Sequence, residues 1–210
     1  MKKLDFKKEL KDLYTAKSGS FSEVIVPKLN YLMVDGVGDP NTSVAYANAI
    51  RALYSLSYTL KFMSKEELAK DYVVPALEGL WWADDMADMS DSKKDNWKWT
   101  AMIMLPDWVT NEMFRRAVVK AGSSKPEIDF SAVYKDQLRE GKCIQTMHVG
   151  PYSDEAQTIS KLHEEYFPQH HLVPVGKHHE IYLSDPRRVA SEKLRTIIRQ
   201  PVGAKGKEGR

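Results

Sequence analysis

Apolar and polar positions along this chain follow the same order, strand, helix, strand and strand, in each of its two halves. The elements predicted for the first half are a strand over 22–36 that breaks at Pro27, a helix of about 20 residues capped by Asn41 or Thr42, and strands at about 72–84 and 97–105. Those predicted for the second half are a strand over 143–149, a helix that ends before Pro168, and strands at about 177–184 and 193–200. A duplicated unit of this size predicts one α+β domain with a ligand cleft at its internal two-fold axis.

The two repeats belong to one predicted domain, residues 1–202. A polar tail over 203–210 follows it, and we expect this tail to be disordered. The parts of the domain are a leading segment at 4–18 that forms a short helix or strand edge, a first repeat at about 22–106, an insertion at about 107–141 and a second repeat at about 142–202. The insertion is predicted to contain a helix capped by Thr110 and ended by Gly122, and a short helix at 130–140 closed by Gly141. An acidic hairpin loop is predicted at 84–96.

The composition fits a chain that buries one sizeable core and has no electrostatic footprint for nucleic acid. Of 210 residues, 42% are apolar, and 31 Lys and Arg stand against 29 Asp and Glu, a net charge of +2. The N-terminus lacks the apolar stretch of a signal peptide, and no window reaches the length of a membrane span, which predicts a cytoplasmic protein without a membrane partner. One cysteine, Cys143, excludes an intramolecular disulfide and a multi-cysteine zinc site. We expect a monomer or a weak homodimer.

A glutamate lies at the same point of a predicted strand in each half, Glu78 in the first and Glu180 in the second. Because side chains alternate along a strand, Glu180 shares a face with His178 and Tyr182. The apolar set of the same strand is predicted to pack against the helices or core, so that Glu180 faces the opposite side. A lone strand glutamate is usually solvated, but its repetition beside aromatic residues favours a binding role.

Four of the five tryptophans lie within 19 residues, on the two strands of the first-half hairpin: Trp81, Trp82, Trp97 and Trp99. Two interpretations stay open. Aromatic side chains on neighbouring strands often pack together as core. Alternatively, they form the flat walls of a pocket for a planar or cationic organic ligand, with a carboxylate such as Glu78 at its floor.

Neither a metal site nor a cofactor is predicted. His170-His171 lies in a loop, and the adjacent residues His178-His179 of a strand point to opposite faces, so neither pair clamps an ion. The segment Gly36-Val37-Gly38 lacks the third glycine of a nucleotide-binding turn.

Three segments resemble GyrI-like small-molecule-binding proteins and occur in the family's order. One is Pro75 to Trp82, which is similar to the stand-alone bacterial branch of the family. Another is the turn His148-Val149-Gly150-Pro151-Tyr152. The last is Glu180 to Arg187, followed by Lys193 to Val202. The resemblance covers about residues 18–202.

The resemblance implies a pseudo-two-fold antiparallel sheet with two long helices and a central groove lined by aromatic residues. In multidrug-responsive regulators of the family, such as BmrR, a glutamate on the matching strand lies at the bottom of an aromatic cage and faces a cationic ligand. That role is carried over to Glu180, with Tyr152 and Tyr182 as wall residues. Some stand-alone members are similar to hydrolases that open the strained cyclopropane of DNA-alkylating natural products. The first predicted strand begins too early for a preceding helix-turn-helix module, so direct DNA binding is not expected.

Two functions are compatible with these residues. In an enzyme, Glu180 acts as general base or electrostatic partner and aims water at a strained carbon, while Tyr152, Tyr182 or His148 stabilises the developing phenolate. In a binding protein, the same carboxylate orients a lipophilic or cationic ligand, and the protein sequesters a toxin or reports it to a partner. We favour a hydrolase of cyclopropanoid genotoxins, since no attached effector domain is expected to receive a binding signal.

Overall fold

The computed structural model describes residues 3–84 and 91–205. Its helices are α1 (Phe6–Glu9), α2 (Lys11–Tyr14), α3 (Val44–Leu68), α4 (Asn111–Ser124), α5 (Glu155–Ser160) and α6 (Phe167–Gln169), with a π-helical segment (Lys161–Tyr166) between the last two. Its strands are β1 (Lys3–Leu4), β2 (Ser22–Val37), β3 (Asp71–Tyr72), β4 (Leu77–Trp82), β5 (Lys98–Leu105), β6 (Tyr134–Val149), β7 (Leu172–Pro174), β8 (His178–Tyr182) and β9 (Arg195–Ala204). These helices and antiparallel strands confirm the predicted α+β class.

The chain forms two compact units. The first comprises Met1–Glu9 and Lys28–Leu138, and the second comprises Leu10–Pro27 and Arg139–Arg210. In the first unit, β5 lies antiparallel between β2 and β4. In the second unit, β9 lies antiparallel between β6 and β8. The strand-helix-strand-strand order predicted for each repeat is therefore present in each unit.

Helix α3 covers one face of the first unit's strands. It begins at a cap formed by Ser43 and not by Asn41 or Thr42, because the Ser43 hydroxyl accepts a hydrogen bond from the Tyr46 backbone N–H at 3.2 Å. The helix is 25 residues long and ends at Leu68, and the next residue, Ala69, has a left-handed φ of 52°. Its apolar side is buried completely at Leu53, Leu56 and Leu60. This helix therefore supplies much of the first unit's core.

Helix α4 packs against α3 in the same unit. Its predicted cap is confirmed, since the Thr110 hydroxyl accepts from the Met113 backbone N–H at 3.1 Å. Its predicted end is wrong: the helix continues past Gly122 to Ser124. Glycine inside a helix costs some stability without ending it, and the backbone of Gly122 is not in the left-handed region that a terminating glycine adopts.

The indole of Trp99 lies on the backbone of Gly36, its direct partner across β2 and β5. A Cβ atom added at Gly36 would lie 2.2 Å from Cζ2 of Trp99. The ring of Trp99 also meets Tyr46 of α3 edge to face, with 4.9 Å between ring centroids. The absence of a side chain at Gly36 is therefore what allows Trp99 to pack between the strand and α3.

Replacing Gly36 by Ala is expected to lower the free energy of unfolding by about 1–3 kcal/mol, because the added methyl group overpacks the site. The matched control is Gly122→Ala in α4, where an added Cβ meets no described atom within 4 Å. That variant is expected to gain about 0.5–1 kcal/mol from helix propensity. Denaturant unfolding of the three proteins measures both effects, and a Gly36→Ala protein as stable as the parent would contradict the packing described for Trp99.

Two sequence predictions about the segments that form β6 and β2 are wrong. The segment 130–140 is not a helix closed by Gly141, since β6 runs from Tyr134 through Gly141, whose φ is 71°, to Val149. The helix propensity of its Lys, Gln, Leu, Arg and Glu residues is overridden by tertiary context. Strand β2 also continues through Pro27, which is exposed. Proline is tolerated at a strand position whose backbone nitrogen is not needed for sheet hydrogen bonding.

In the second unit, the helical segment runs from Glu155 to Gln169 and includes Pro168, which was predicted to follow its end. Within the π-helical segment, the backbone N–H of Phe167 donates to the carbonyl of Leu162, five residues earlier. Both side chains lie in one buried cluster with Ile144 and Ile198 of the strands. The wider turn thus brings two residues five apart onto the same core.

Two segments predicted to be flexible fall partly outside the described residues. In the acidic loop at 84–96, residues 85–90 are not described, and Asp91–Asn96 form 3-10 turns. In the predicted tail, residues 206–210 lie outside the description. Gly203 and Ala204 are not tail but the end of β9, where they pair with β7, a strand that the sequence did not predict. No helix of the described chain is long and apolar enough to span a membrane.

Candidate functional site

Strand β8 places Glu180 between two side chains of its own face. The Tyr182 hydroxyl donates to Oε2 of Glu180 at 2.7 Å, and Nε2 of His178 lies 3.2 Å from Oε1. These two contacts orient the carboxylate. The Glu180 side chain is 14% exposed, so water can still reach it. These contacts agree with the strand face predicted for the three residues.

Glu180 faces the helical segment of its own unit, and not away from it as predicted. Its partner across the sheet is Ile198, which packs with Leu162 and Phe167. The alternate residues His179 and Ile181 are fully buried on the other face. The prediction assumed that the apolar residues of β8 mark the face that packs against the helix. Both faces of β8 are largely buried, so the positions of the apolar residues did not show which face meets the helix.

Glu155, in the first turn of α5, is the site residue that the sequence analysis missed. It is 5% exposed, and no described N–H or O–H group donates to its Oε1. Burial, reinforced by the negative charge of neighbouring Glu180, raises the pKa of Glu155 to about 9, although Thr196 acts in the opposite direction. Glu155 therefore keeps its proton at neutral pH.

The sequence carried no signal for this pairing. An acidic residue in the first turn of a helix is already favoured by the helix dipole, so Glu155 has an ordinary explanation when seen in the sequence alone. Its proximity to Glu180 arises from the packing of α5 on β8.

The turn before α5 places Tyr152 beside Tyr182, with 5.6 Å between ring centroids in an edge-to-face arrangement. His148 holds this turn, because its Nε2 lies 3.1 Å from the Pro151 carbonyl and its Nδ1 lies 3.2 Å from the Thr158 hydroxyl. A carbonyl oxygen can only accept, so Nε2 carries the proton. Since both ring nitrogens are engaged, His148 supports the turn, and a ligand contact for it stays a prediction.

These residues combine groups that suit acid–base chemistry or cation binding. Glu180 can accept a proton from water, Tyr182 and Glu155 are neutral hydrogen-bond donors beside it, and the 40% exposed Tyr152 presents an aromatic surface. An aromatic pair next to a carboxylate also fits an organic cation.

The tryptophans belong to the first unit, and the structure separates them into two groups. Trp81 and Trp99 are 4% and 1% exposed and pack on Tyr46 of α3, as the core interpretation proposed. Trp82 and Trp97 are half-buried. A ligand-binding role for these four residues stays a prediction, and the half-buried pair is the more accessible one.

Glu78 also lies in the first unit and does not occupy the position that corresponds to Glu180. It is 1% exposed. Trp81, three residues further along the regularly paired β4, contacts α3, so Glu78 lies on the face away from that helix. Glu180 instead faces the helix of its repeat. The prediction of two equivalent exposed carboxylates was therefore wrong.

A second group of charged residues lies on the other face of the second unit's strands. Glu140 is within 3.0 Å of Nδ1 of His179 and 3.3 Å of a guanidinium nitrogen of Arg199, and all three side chains are almost completely buried. Burial raises the pKa of the Glu140 carboxyl, but the positive charges of His179 and Arg199 outweigh it and lower the pKa overall. Arg199 also donates to the Leu13 carbonyl, so this cluster fixes the segment Leu10–Pro27.

Metal binding has no structural support among the described residues. Within 3–84 and 91–205, no three His, Cys, Asp or Glu side chains are grouped so that they could hold one ion. Cys143 is buried, and burial, with a further contribution from Glu140, raises the pKa of its thiol to about 12. This cysteine therefore keeps its proton at neutral pH, and a protonated thiol is a poor nucleophile.

Comparison with solved structures finds relatives over nearly the whole chain. A conserved uncharacterized protein from Listeria innocua is 40% identical, with 96% of this chain and 100% of that chain covered and a TM-score of 0.89. A hydrolase from Listeria innocua is also 40% identical over the same shares, with a TM-score of 0.87. The EcmrR C-terminal domain, at 9% identity, 88% and 98% coverage and a TM-score of 0.56, shares the fold alone. No curated protein matches the chain.

The family comparison agrees with the motifs found in the sequence. The family model of the GyrI-like small molecule binding domain matches residues 20–202, nearly the same span as the resemblance of the sequence motifs. The chain therefore belongs to the GyrI-like small-molecule-binding domain family.

Proposed function

We propose that this protein hydrolyses lipophilic electrophiles with a strained ring, with cyclopropanoid DNA-alkylating compounds as the substrate class, and thereby protects the cell. The observation that carries the proposal is the Glu180 carboxylate, which is oriented by Tyr182 and His178 and is partly open to water. Hydrolases from Listeria innocua that are 40% identical over almost the whole chain support an enzymatic function.

In the proposed reaction, Glu180 acts as general base. It accepts a proton from water as the water oxygen bonds to the methylene carbon of the cyclopropane. The ring carbon–carbon bond breaks, and its electron pair moves through the conjugated ring to the carbonyl oxygen, which becomes a phenolate. Protonation of that oxygen from solvent gives the phenol, and Glu180 releases its proton to solvent, so Glu180 is regenerated and the product is the substrate plus one water.

Tyrosines at the site would hold the substrate and stabilise its developing charge. The ring of Tyr152 meets Tyr182 edge to face and is 40% exposed, which leaves a surface for a flat aromatic ligand. A phenolic hydroxyl donor directed at the developing phenolate lowers the barrier by electrostatic stabilisation. Tyr152 suits this role better than Tyr182, whose hydroxyl already donates to Glu180.

A second function, binding of lipophilic cations without turnover, is favoured by the same aromatic pair beside a carboxylate. In that case the protein sequesters its ligand or reports it to a partner.

One experiment separates the two functions. The protein is incubated with a cyclopropane-bearing alkylator, and the small molecule is analysed by mass spectrometry. Catalytic hydrolysis predicts a product heavier by one water that accumulates beyond one equivalent of protein. Unchanged compound that co-elutes with the protein would support binding alone. If the compound is neither hydrolysed nor bound, both functions are refuted for this class of compound.

A further inference from the structure

Burial of the Glu155 carboxyl lowers the stability of the fold, and an interaction with Glu180 is the reason we find for it. Its carboxyl is 5% exposed, its Oε1 is inaccessible to solvent, and no described N–H or O–H group donates to that oxygen. Its carboxyl also interacts electrostatically with that of Glu180, and two ionised carboxylates that interact in a desolvated site repel each other. Glu180 already receives the Tyr182 hydroxyl at 2.7 Å and lies 3.2 Å from His178, so the negative charge is best stabilised there.

We propose that Glu155 is a positioning residue that stays neutral and donates a hydrogen bond from its carboxyl to Glu180, so that the site holds one negative charge at one defined place. Glu155 lies on α5, which packs on the sheet through the same helical segment as Leu162 and Phe167. This helix fixes the position of the donor. A charged acid at residue 155 would place a second negative charge beside the first and oppose phenolate formation on a substrate.

Other groups that titrate lie near this pair and have to be distinguished from it. On the same sheet face or on the helical segment these are His178, Tyr182, His148 and His163. Burial, followed by the charge of His178, lowers the pKa of His163, so it is neutral at the pH values at which Glu155 ionises. A Glu155→Gln variant leaves all these groups in place and removes the titration of residue 155 alone.

The direct test is a carbon-13 NMR titration of the glutamate carboxyl signals in the unaltered protein. One signal, absent from Glu155→Gln, is expected to keep its protonated position at pH 7 and to move with a midpoint near pH 9. Glu165→Gln, the same change at an exposed glutamate of the helical segment, is the matched control and should leave that signal in place. A Glu155 signal that is already in its ionised position at pH 6 would overturn the proposal.

Stability gives a second readout that needs no substrate. Because the pKa of Glu155 is higher in the folded protein than in the unfolded chain, this residue stabilises the folded state fully below its unfolded pKa. That contribution is lost as the pH rises to about 9. The amide of Glu155→Gln is always neutral and can still donate to Glu180. At pH 8 the variant is therefore expected to melt roughly 3 °C or more above the parent, a difference that disappears near pH 4. A difference that does not change with pH would contradict a neutral Glu155.

Activity supplies the third readout, which rests on the proposed hydrolysis. In the parent, activity is expected to decline at alkaline pH as Glu155 ionises. Glu155→Gln is expected to retain turnover at pH 7 and to show no such decline. Glu155→Leu is expected to lose turnover at every pH, because leucine cannot donate a hydrogen bond to Glu180. An alkaline decline that is identical in the parent and in Glu155→Gln would refute the positioning role. If the parent hydrolyses nothing, the proposed function fails, while the NMR and melting experiments still decide the state of Glu155.

Discussion

Glu180→Gln is expected to fold normally and to slow hydrolysis of a cyclopropanoid substrate by roughly 100- to 10,000-fold, the usual effect of removing a general base. Glutamine keeps the shape of the side chain and can still accept the Tyr182 hydrogen bond, but it has neither the charge nor the basicity of a carboxylate. Turnover is measured by mass spectrometry of the water adduct, and the melting temperature is measured in parallel. An unchanged rate would remove Glu180 from the mechanism.

The control for this variant has to be an exposed glutamate of the same unit. Glu165→Gln makes the same chemical change on the solvent side of the helical segment, and both rate and stability should stay within error of the parent. Glu78→Gln is unsuitable, since Glu78 is 1% exposed and a change there tests the core. If the protein binds without turnover, Glu180→Gln should instead reduce the affinity for a lipophilic cation, which titration calorimetry detects.

Arg199→Met is expected to lower the free energy of unfolding by about 3–5 kcal/mol, because it leaves the buried Glu140 carboxylate with one cationic partner fewer. Arg199 is 2% exposed and also donates to the Leu13 carbonyl. Its loss should therefore release the segment Leu10–Pro27, which limited proteolysis would show as earlier cleavage within those residues. Denaturant unfolding measures the loss of stability.

Two further variants test whether the buried ion pair causes this loss. Replacing Glu140 and Arg199 together by methionine is expected to cost less than the sum of the two single replacements, because the carboxylate and the guanidinium that pair with each other are removed together. Arg188→Met, which removes an exposed partner of Asp185, should change stability by less than about 0.5 kcal/mol. Strictly additive costs for Glu140 and Arg199 would contradict the coupling.

Acid sensitivity should follow from the same cluster. The pKa of Glu140 is lowered in the folded protein, so its contribution is present above the unfolded value and is lost as pH falls through the lower, folded value. The destabilisation caused by Arg199→Met is therefore expected to shrink in strongly acidic solution.

The sequence predicted those features that local pattern determines. Period-two alternation placed Glu180 with His178 and Tyr182, and the Thr110 cap followed from its side-chain chemistry. The repeated order of strand, helix, strand and strand was predicted from the pattern of apolar positions, and β5 and β9 each end such a unit. In each case the deciding interaction lies within a few residues or within one repeat.

Features set by tertiary packing could not be predicted in this way. The residues of β6 before Gly141 have the composition of a helix, but β6 is a strand of the sheet and has β2 as a neighbour. The two glutamates Glu78 and Glu180 occur at similar points of the sequence, but Glu78 lies on the strand face away from the helix of its unit and Glu180 on the face toward it. The contact between Glu155 and Glu180 likewise depends on how α5 is set against β8.

The π-helical turn takes up one residue of chain length without changing that setting. A turn closed over five residues contains one residue more than an α-helical turn. Both kinds of turn complete about one rotation, so deleting one residue between Lys161 and Tyr166 would let a regular α-helix pass through and would leave Glu155 facing nearly the same way relative to Phe167. A relative that is one residue shorter here can therefore still place a glutamate where Glu155 lies. In this family, an alignment of the site has to allow a one-residue gap between the positions of Glu155 and Phe167.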